Sequence, residues 1–189
     1  MNAGVFQRLM AAAVTCVICC AAGAALADQN DERLNAMFNR LHELDDPREA
    51  QQIELAIWQV WSESGSDTAD LLLARGVRAM NGQDFELAMD AFTALIALEP
   101  EFAEGWNKRA TLYYLMGEPA ASIRDIEKTL ELEPRHFGAL SGLGLVHLAA
   151  ENYPAALDAF EAALVVHPRM ASAIRYVREL RLKLYGPEV

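Results

Sequence analysis

The sequence predicts an all-α fold, a right-handed solenoid of stacked antiparallel helix pairs. Three prolines, Pro100, Pro134 and Pro168, stand 34 residues apart, and each closes a stretch of similar residues. Between them, apolar residues recur at helical spacing in two runs separated by a turn. One helix pair cannot bury its apolar face alone, so successive pairs are expected to stack. The three repeats that this period defines are residues 69–102, 103–136 and 137–170.

Residues 1–27 are predicted to be a signal peptide that is not part of the fold. Arg8 is the only charged residue before Asp28, and an apolar run extends from residue 9 to about residue 24. The small residues Ala25 and Ala27 then form a cleavage site, so cleavage is expected near Ala27 and the mature protein in the periplasm. An uncleaved membrane anchor is the alternative, although the run is shorter than the roughly 20 apolar residues of a membrane span. All three cysteines lie in this leader, so the mature chain is expected to have no disulfide, catalytic thiol or thiolate metal site.

Residues 28–66 are predicted to form two helices ahead of the repeats. The second helix is expected to begin at Pro47, because Asp46 can cap a helix and proline suits its first position. This pair is interpreted as a degenerate repeat or an N-terminal cap. Trp58 and Trp61 lie on its second helix. Trp61 is predicted to be a core residue, whereas Trp58 is either a core residue or an exposed contact for a partner.

Small and bulky residues stand at fixed positions within each repeat. The eighth position holds Gly76, Ala110 or Gly144, which would let two helix backbones approach closely. The bulky residue at the fourth position, Trp106 in the second repeat, is expected to be buried beside this contact. Residues 171–185 are then predicted to form a single capping helix with a charged side toward solvent.

With large, small, small, aromatic and proline residues at these positions, the repeats resemble the tetratricopeptide pattern W-x2-L-G-x2-Y…A-x3-F…P. The stretch from Glu104 to Val146 is similar to secreted tetratricopeptide proteins of Gram-negative bacteria. The resemblance implies a protein-interaction scaffold in which the first helix of each repeat lines a concave groove for a partner peptide. The groove residues and their extension that it implies here are Asn107, Lys108, Thr111, Tyr114, Arg135, His136, Ser141 and Leu145.

Asn107 and Lys108 are similar to an Asn/Lys pair with which some members of that family hold the terminal carboxylate of a partner. The other half of such a clamp is missing, because Leu73 and Val77 occupy the corresponding positions of the first repeat. The resemblance therefore implies only a weaker anchor for a carboxylate or a backbone carbonyl, and the favoured interpretation of Asn107 and Lys108 is a solvated polar stretch without a ligand. The alternative is that a neighbouring helix packs these positions, with the N-terminal pair folded back across the groove.

The placement of charges and histidines argues against several classes of function. The chain has a net charge of −11, and residues 28–104 hold 17 acidic but only 5 basic residues, so a nucleic-acid-binding face is not expected. The four histidines are scattered and no catalytic motif occurs, so neither a metal, a cofactor nor an enzymatic activity is expected. The sequence thus predicts a non-enzymatic protein- or peptide-binding scaffold. The alternative is a structural homo-oligomer assembled by end-to-end stacking of solenoids, the acidic N-terminal half meeting the basic C-terminal helix.

Overall fold

The computed structural model describes Gln29 and residues 31–187, and this part of the chain contains nine α-helices and no strand. The predicted all-α class is therefore confirmed for these residues, whereas the predicted signal peptide, residues 1–27, lies outside them. None of the described helices is long and apolar enough to cross a membrane. The helices are α1 Glu32–Glu43, α2 Pro47–Trp61, α3 Asp67–Asn81, α4 Phe85–Leu98, α5 Ala103–Leu115, α6 Pro119–Leu132, α7 Phe137–Ala149, α8 Tyr153–Val166 and α9 Ala171–Tyr185.

The predicted repeats each contain one antiparallel helix pair: α3–α4, α5–α6 and α7–α8. Each pair contacts the next, α9 packs on α8, and α5 lies beside both α3 and α7. Side chains cap several helices, among them Asp84 on α4 and Asn152 on α8. As predicted, α2 begins at Pro47 behind Asp46, whose carboxylate accepts a hydrogen bond from the backbone N–H of Arg48. The first helices of the repeats thus stand side by side and can form one surface.

The small residues at the eighth position let the two helices of a pair approach closely, as predicted. A Cβ atom added to Gly76 would lie 2.4 Å from Cε1 of Phe92. One added to Gly144 would lie 2.8 Å from the ring of Phe160. Because such distances are too short for any real Cβ contact, glycine is required where these phenylalanine rings meet the facing helix.

The expected burial of Trp106 is wrong, because an ion pair takes the place of apolar packing in the second repeat. The ring of Trp106 is half-buried, and its Nε1 donates to the carbonyl of Pro100 at 2.9 Å. Over it lies the guanidinium of Arg109, 5.0 Å from the ring centroid. Arg109 donates to both carboxylate oxygens of Asp125, at 2.7 and 3.0 Å, and so links α5 to α6.

The N-terminal hairpin, which consists of α1, α2 and the turn between them, does not stack on the first repeat. Its buried core includes Phe38 and Trp61 and is completed by Phe137 of α7, with Val166 and Met170 packed against it. Among the described residues, this core contains none from α3 or α4. A degenerate repeat or a cap in front of the first repeat would instead lie against α3. The hairpin therefore folds back across the second and third repeats.

Candidate partner-binding groove

The groove residues expected from the sequence fall into a covered half and an open half. The covered half lies at the N-terminal ends of α5 and α7, under the N-terminal hairpin, and its members are Asn107, Lys108, Arg135 and His136. The open half lies farther along the same helices, and its members are Thr111, Tyr114 and Leu145. Ser141 is buried, with 8% of its surface exposed, and belongs to neither half.

A fully buried carboxylate, that of Glu104 in the first turn of α5, organises the covered half. Its Oε1 lies 2.7 Å from Nζ of Lys108, one turn along the helix. Its Oε2 accepts a hydrogen bond from the side-chain amide of Asn107 at 2.8 Å and lies 3.1 Å from Nε2 of His136. By resemblance, Asn107 and Lys108 were candidates to hold the terminal carboxylate of a partner. In the structure they hold the carboxylate of Glu104 instead. The ammonium of Lys108 and the side-chain N–H of Asn107 are thus engaged within the chain.

Two opposed effects set the charge of Glu104. Burial, the largest single effect, raises the pKa of its carboxyl group, but the charge and hydrogen-bond interactions with Lys108 and His136 together lower it by more. The net result is a pKa below the ordinary glutamate value. Glu104 is therefore ionised at neutral pH, and the covered half is built on a buried ion pair.

His136 joins this cluster to the N-terminal hairpin. The backbone N–H of Ala139 donates to Nδ1 of His136 at 3.0 Å, so the ring caps the N-terminus of α7. A neutral ring that accepts at Nδ1 carries its proton on Nε2, which then donates to Glu104. One face of the ring stacks on the indole of Trp61, with centroids 4.1 Å apart and planes inclined by 8°. His136 is completely buried in this arrangement and is not available to a partner.

Trp58 of α2 lies on the groove surface itself. Nζ of Lys108 is 5.0 Å from the centroid of its ring, a cation–π contact. The edge of the ring reaches α7 at Gly138, where an added Cβ would lie 2.4 Å from Cη2 of Trp58. Trp58 also meets Phe137 edge-on, with centroids 5.4 Å apart. Trp58 is thus neither fully buried nor an exposed contact: it is partly buried and packs against the core of the N-terminal hairpin, with its ring on the groove surface.

Polar contacts at the edges hold the hairpin over the junctions between repeats. Nη1 of Arg135 donates to Oδ1 of Asn35 at 2.8 Å. Nε2 of His167 lies 3.2 Å from Oε2 of Glu54. Arg169 donates to the backbone carbonyl that follows α1 at 3.0 Å. Arg135, expected to extend the binding strip, is therefore engaged by the hairpin.

The open half of the groove is a cleft between α5 and α7. Thr111 and Tyr114 line it from α5 and Leu145 lines it from α7, around a cavity of about 70 Å³. Tyr114 is 36% exposed and also borders a second cavity, of about 230 Å³, beside the turn between α5 and α6. The hydroxyl of Thr111 donates to the carbonyl of Asn107 within α5. Asn107 of the covered half and Ser122 also line this cavity, so the cleft offers an aromatic and an apolar surface with the phenol of Tyr114 and the side chain of Asn107 among its polar groups.

Sequence reasoning did not identify Glu104 as the partner of the polar groove residues. The available signal was the four-residue spacing of Glu104 and Lys108, which places opposite charges on one helix face. No sequence spacing predicts the contacts of His167 and Gly138 with α2, because these contacts depend on the position of the hairpin relative to the repeats. Within the described residues, no group of three or more His, Cys, Asp or Glu side chains is placed to hold a metal ion.

Comparison with known sequences identifies the family. The sequence model described as tetratricopeptide repeat matches residues 73–123 and 107–173. A tetratricopeptide repeat-containing protein of Rhizobium etli is 39% identical over 155 residues, which cover 82% of this chain and 76% of that protein. The chain therefore belongs to the tetratricopeptide repeat family. A homologue of tetratricopeptide repeat protein 36 from Nematostella vectensis is 35% identical over 107 residues, which cover 56% of this chain and 59% of the relative.

Solved structures share the fold. The tetratricopeptide domain of Arabidopsis OM64 matches with a TM-score of 0.60 at 20% identity, over 62% of this chain and 98% of the domain. The first such domain of Spaghetti (RPAP3), bound to the HSP90 peptide SRMEEVD, has a TM-score of 0.60 at 21% identity, over 63% of this chain and 94% of its own. The TPR2B domain of yeast Sti1, in a complex with pHsp70, has a TM-score of 0.57 at 25% identity, over 62% of this chain and 96% of its own. These similarities establish the repeat architecture.

Proposed function

We propose that this protein is a non-enzymatic scaffold of the periplasm that holds a partner protein or peptide in its concave groove. The observation that carries the proposal is the open half of the groove, where the half-exposed ring of Tyr114 stands between two cavities. Rigid aromatic side chains of this kind are typical centres of binding energy at interfaces. Membership of the tetratricopeptide repeat family supports the proposal, because similar domains were solved with an HSP90 peptide, in Spaghetti, and in a complex with pHsp70, in Sti1.

The chemistry of the open half favours an apolar anchor on the partner. An apolar side chain fits between Tyr114 and Leu145, while the phenol of Tyr114 is placed to hydrogen-bond a backbone group. A terminal carboxylate is not the expected anchor, because the ammonium of Lys108 is already neutralised by Glu104 at 2.7 Å. The partner segment is thus expected to be held by side-chain burial and backbone hydrogen bonds.

The periplasmic part of the proposal rests on the pattern of the leader. The apolar run up to about residue 24, followed by small residues at positions 25 and 27, is typical of a cleaved export signal. A fusion of the whole chain to alkaline phosphatase, which is active only outside the cytoplasm, tests this location. An inactive fusion that accumulates in the cytoplasm would contradict it.

Cross-linking in intact cells, followed by mass spectrometry, tests partner binding. The double variant Tyr114→Ala/Leu145→Ser is expected to lose the cross-linked partner and to melt only modestly below the wild type, because Tyr114 is 36% exposed whereas Leu145 is partly buried against the core of α8 and α9. Leu115→Ala is the matched control, since this neighbour of Tyr114 is 50% exposed and lines neither cavity. Unchanged partner recovery from the double variant, with a lower melting temperature, would show that these residues serve packing alone.

A second candidate function, end-to-end assembly of copies, is favoured by the outer face of α9. The terminal helix of a solenoid usually carries a polar outer face, but Ile174, Leu182 and Tyr185 are 46%, 56% and 75% exposed. A cavity of about 390 Å³ lies between α8 and α9, with Arg178 and Arg181 at its rim. Light scattering at low salt is expected to detect oligomers of the wild type, and the Leu182→Glu variant is expected to be a monomer. If the wild type were a monomer at every concentration, end-to-end assembly would be excluded.

A further inference from the structure

One face of α2 contacts the covered half of the groove at three points. Glu54, Trp58 and Trp61 stand at positions i, i+4 and i+7, the spacing with which a helix presents anchor residues to a groove. The surface that meets them, here called the hairpin seat, consists of His167 against Glu54, Lys108 and Gly138 against Trp58, and His136 against Trp61. The seat therefore contacts an acidic residue and two indole rings in a fixed order along one helix.

Gly138 shows that the seat is shaped for an indole ring. The nearest obstacles to an added Cβ are Cη2 and Cζ2 of Trp58, at 2.4 and 2.8 Å. On the same helix, a Cβ added to Gly142 would meet only Cδ1 of Ile126, at the ordinary contact distance of 3.8 Å. The missing side chain at Gly138 is thus what admits the ring of α2.

The hairpin does not satisfy the seat completely. Nε1 of Trp61 and Nδ1 of His167 are buried without a hydrogen-bond partner among the described residues. A buried polar atom without a partner is unfavourable compared with the same atom in water. The hairpin is joined in sequence to the repeats by the loop of residues 62–66, and its core includes no residue of α3 or α4. A partner helix that hydrogen-bonds Nδ1 of His167, and that leaves none of its own buried polar atoms without a partner, would therefore have an advantage over α2.

We propose that the hairpin seat is a binding site for an amphipathic helix of a partner protein, and that α2 is its competitor within the chain. The partner helix carries an acidic residue followed by aromatic residues four and seven positions later, as Glu54, Trp58 and Trp61 do. This inference rests on the proposed function, because it extends partner binding from the open half of the groove to the covered half. Release of the hairpin joins the two halves into one groove along α5 and α7.

A labelled peptide with the sequence of residues 47–62 is the probe, and fluorescence anisotropy measures its binding to the full chain. In the wild type, the hairpin excludes the probe, so the apparent Kd equals the intrinsic Kd divided by the fraction of open molecules. Trp58→Ala in the chain loosens the hairpin and leaves the seat intact, so the probe is expected to bind about tenfold more tightly or better. Glu54→Ala is a milder opening variant that keeps the aromatic core. Leu55→Ala is the matched control, because Leu55 is 63% exposed on α2, and it is expected to match the wild type.

A second pair of variants tests the seat itself. Gly138→Ala, added to the Trp58→Ala chain, is expected to abolish probe binding, because the new methyl group occupies the place of the probe's indole. Gly142→Ala in the same background adds the same methyl group to the same helix away from the seat, and is expected to keep probe binding. Circular dichroism shows whether each variant retains its helical content.

Equal probe affinity for the wild-type, Trp58→Ala, Glu54→Ala and Leu55→Ala chains would overturn the proposal. Probe binding that survives Gly138→Ala would overturn it as well. A dimer detected by light scattering that persists in the Leu182→Glu chain but is lost in the Trp58→Ala chain would assign the seat to the hairpin of a second copy and not to a partner helix. The proposed function is judged separately, by cross-linking with the Tyr114 and Leu145 variants, which leave the hairpin in place.

Discussion

Removing the buried carboxylate of Glu104 is expected to lower the free energy of unfolding by about 3–5 kcal/mol, as breaking a buried ion pair does. The carboxylate is hydrogen-bonded to Asn107 and lies within hydrogen-bond distance of His136, in addition to its pairing with Lys108. Hydrogen bonds to a charged group contribute about 1.5–3 kcal/mol each, so two of them alone account for a loss of this size. In Glu104→Ala, the amide of Asn107 and Nε2–H of His136 would remain buried without an acceptor.

Urea unfolding followed by circular dichroism measures this loss. With an m value of about 2–3 kcal/mol/M, a loss of about 4 kcal/mol lowers the midpoint by about 1.3–2 M. Glu131→Ala is the matched control: its carboxylate is 70% exposed, its partner Lys128 lies at 3.0 Å on the surface, and the midpoint should hardly change. If Glu104→Ala and Glu131→Ala unfolded at the same urea concentration, the reasoning from burial would be refuted.

The same carboxylate gives the stability a defined pH dependence. Because the folded state lowers the pKa of Glu104 below its ordinary value of 4.5, ionised Glu104 contributes its full stabilisation above that value. The contribution is lost as the pH falls from there through the folded-state pKa. The difference in urea midpoint between the wild type and Glu104→Gln is therefore expected to be complete at pH 7 and to narrow only below about pH 4.5. A difference that disappeared between pH 7 and pH 5 would contradict the direction of this shift.

Two comparisons test the packing of the repeats and the hairpin. Trp61→Ala is expected to cost about 3–5 kcal/mol, because its ring is only 1% exposed. Trp106→Ala is expected to cost about 1–2 kcal/mol, because its ring is half-buried. If calorimetry found Trp106→Ala more destabilising than Trp61→Ala, the assigned burial of the two rings would be wrong. Gly144→Ala is expected to cost about 1–3 kcal/mol, because the new Cβ would lie 2.8 Å from the ring of a phenylalanine on α8. Gly142→Ala should not destabilise the protein, and equal melting temperatures for the two glycine variants would mean that α7 and α8 separate freely.

The repeat architecture could be predicted because its signals act within single helix pairs. The small residue at the eighth position faces an aromatic ring of the same repeat, as Gly76 faces Phe92, so a short window of sequence contains both partners. Arg109 was harder to interpret, because it stands where a leucine is usual and its partner Asp125 follows 16 residues later on the facing helix. Pairing helical positions across the turn would have found this ion pair.

The covered half of the groove could be predicted only in part. Lys108 and His136 were placed on the correct surface, because repeat position alone determines this. Their partners on the hairpin could not be deduced, since the contacts join residues far apart in sequence; Arg135 and Asn35, for example, are 100 positions apart. Helical periodicity predicts which residues share one face of α2, but it does not predict which surface of the repeats that face packs against. Without knowledge of that surface, the tryptophans of α2 can be assigned either to the core or to an exposed patch.

The position of the N-terminal hairpin also constrains the order in which the chain can fold. In a simple repeat array each unit contacts only its neighbours, so folding can follow synthesis. Here α1 and α2 are made before the repeats, yet Phe137, which completes their core, follows Trp61 by 76 positions. Until residue 137 is available to complete this core, Trp61 remains uncovered. The first two helices of the described residues are therefore the last to reach their final place, and their arrival ties the second repeat to the third.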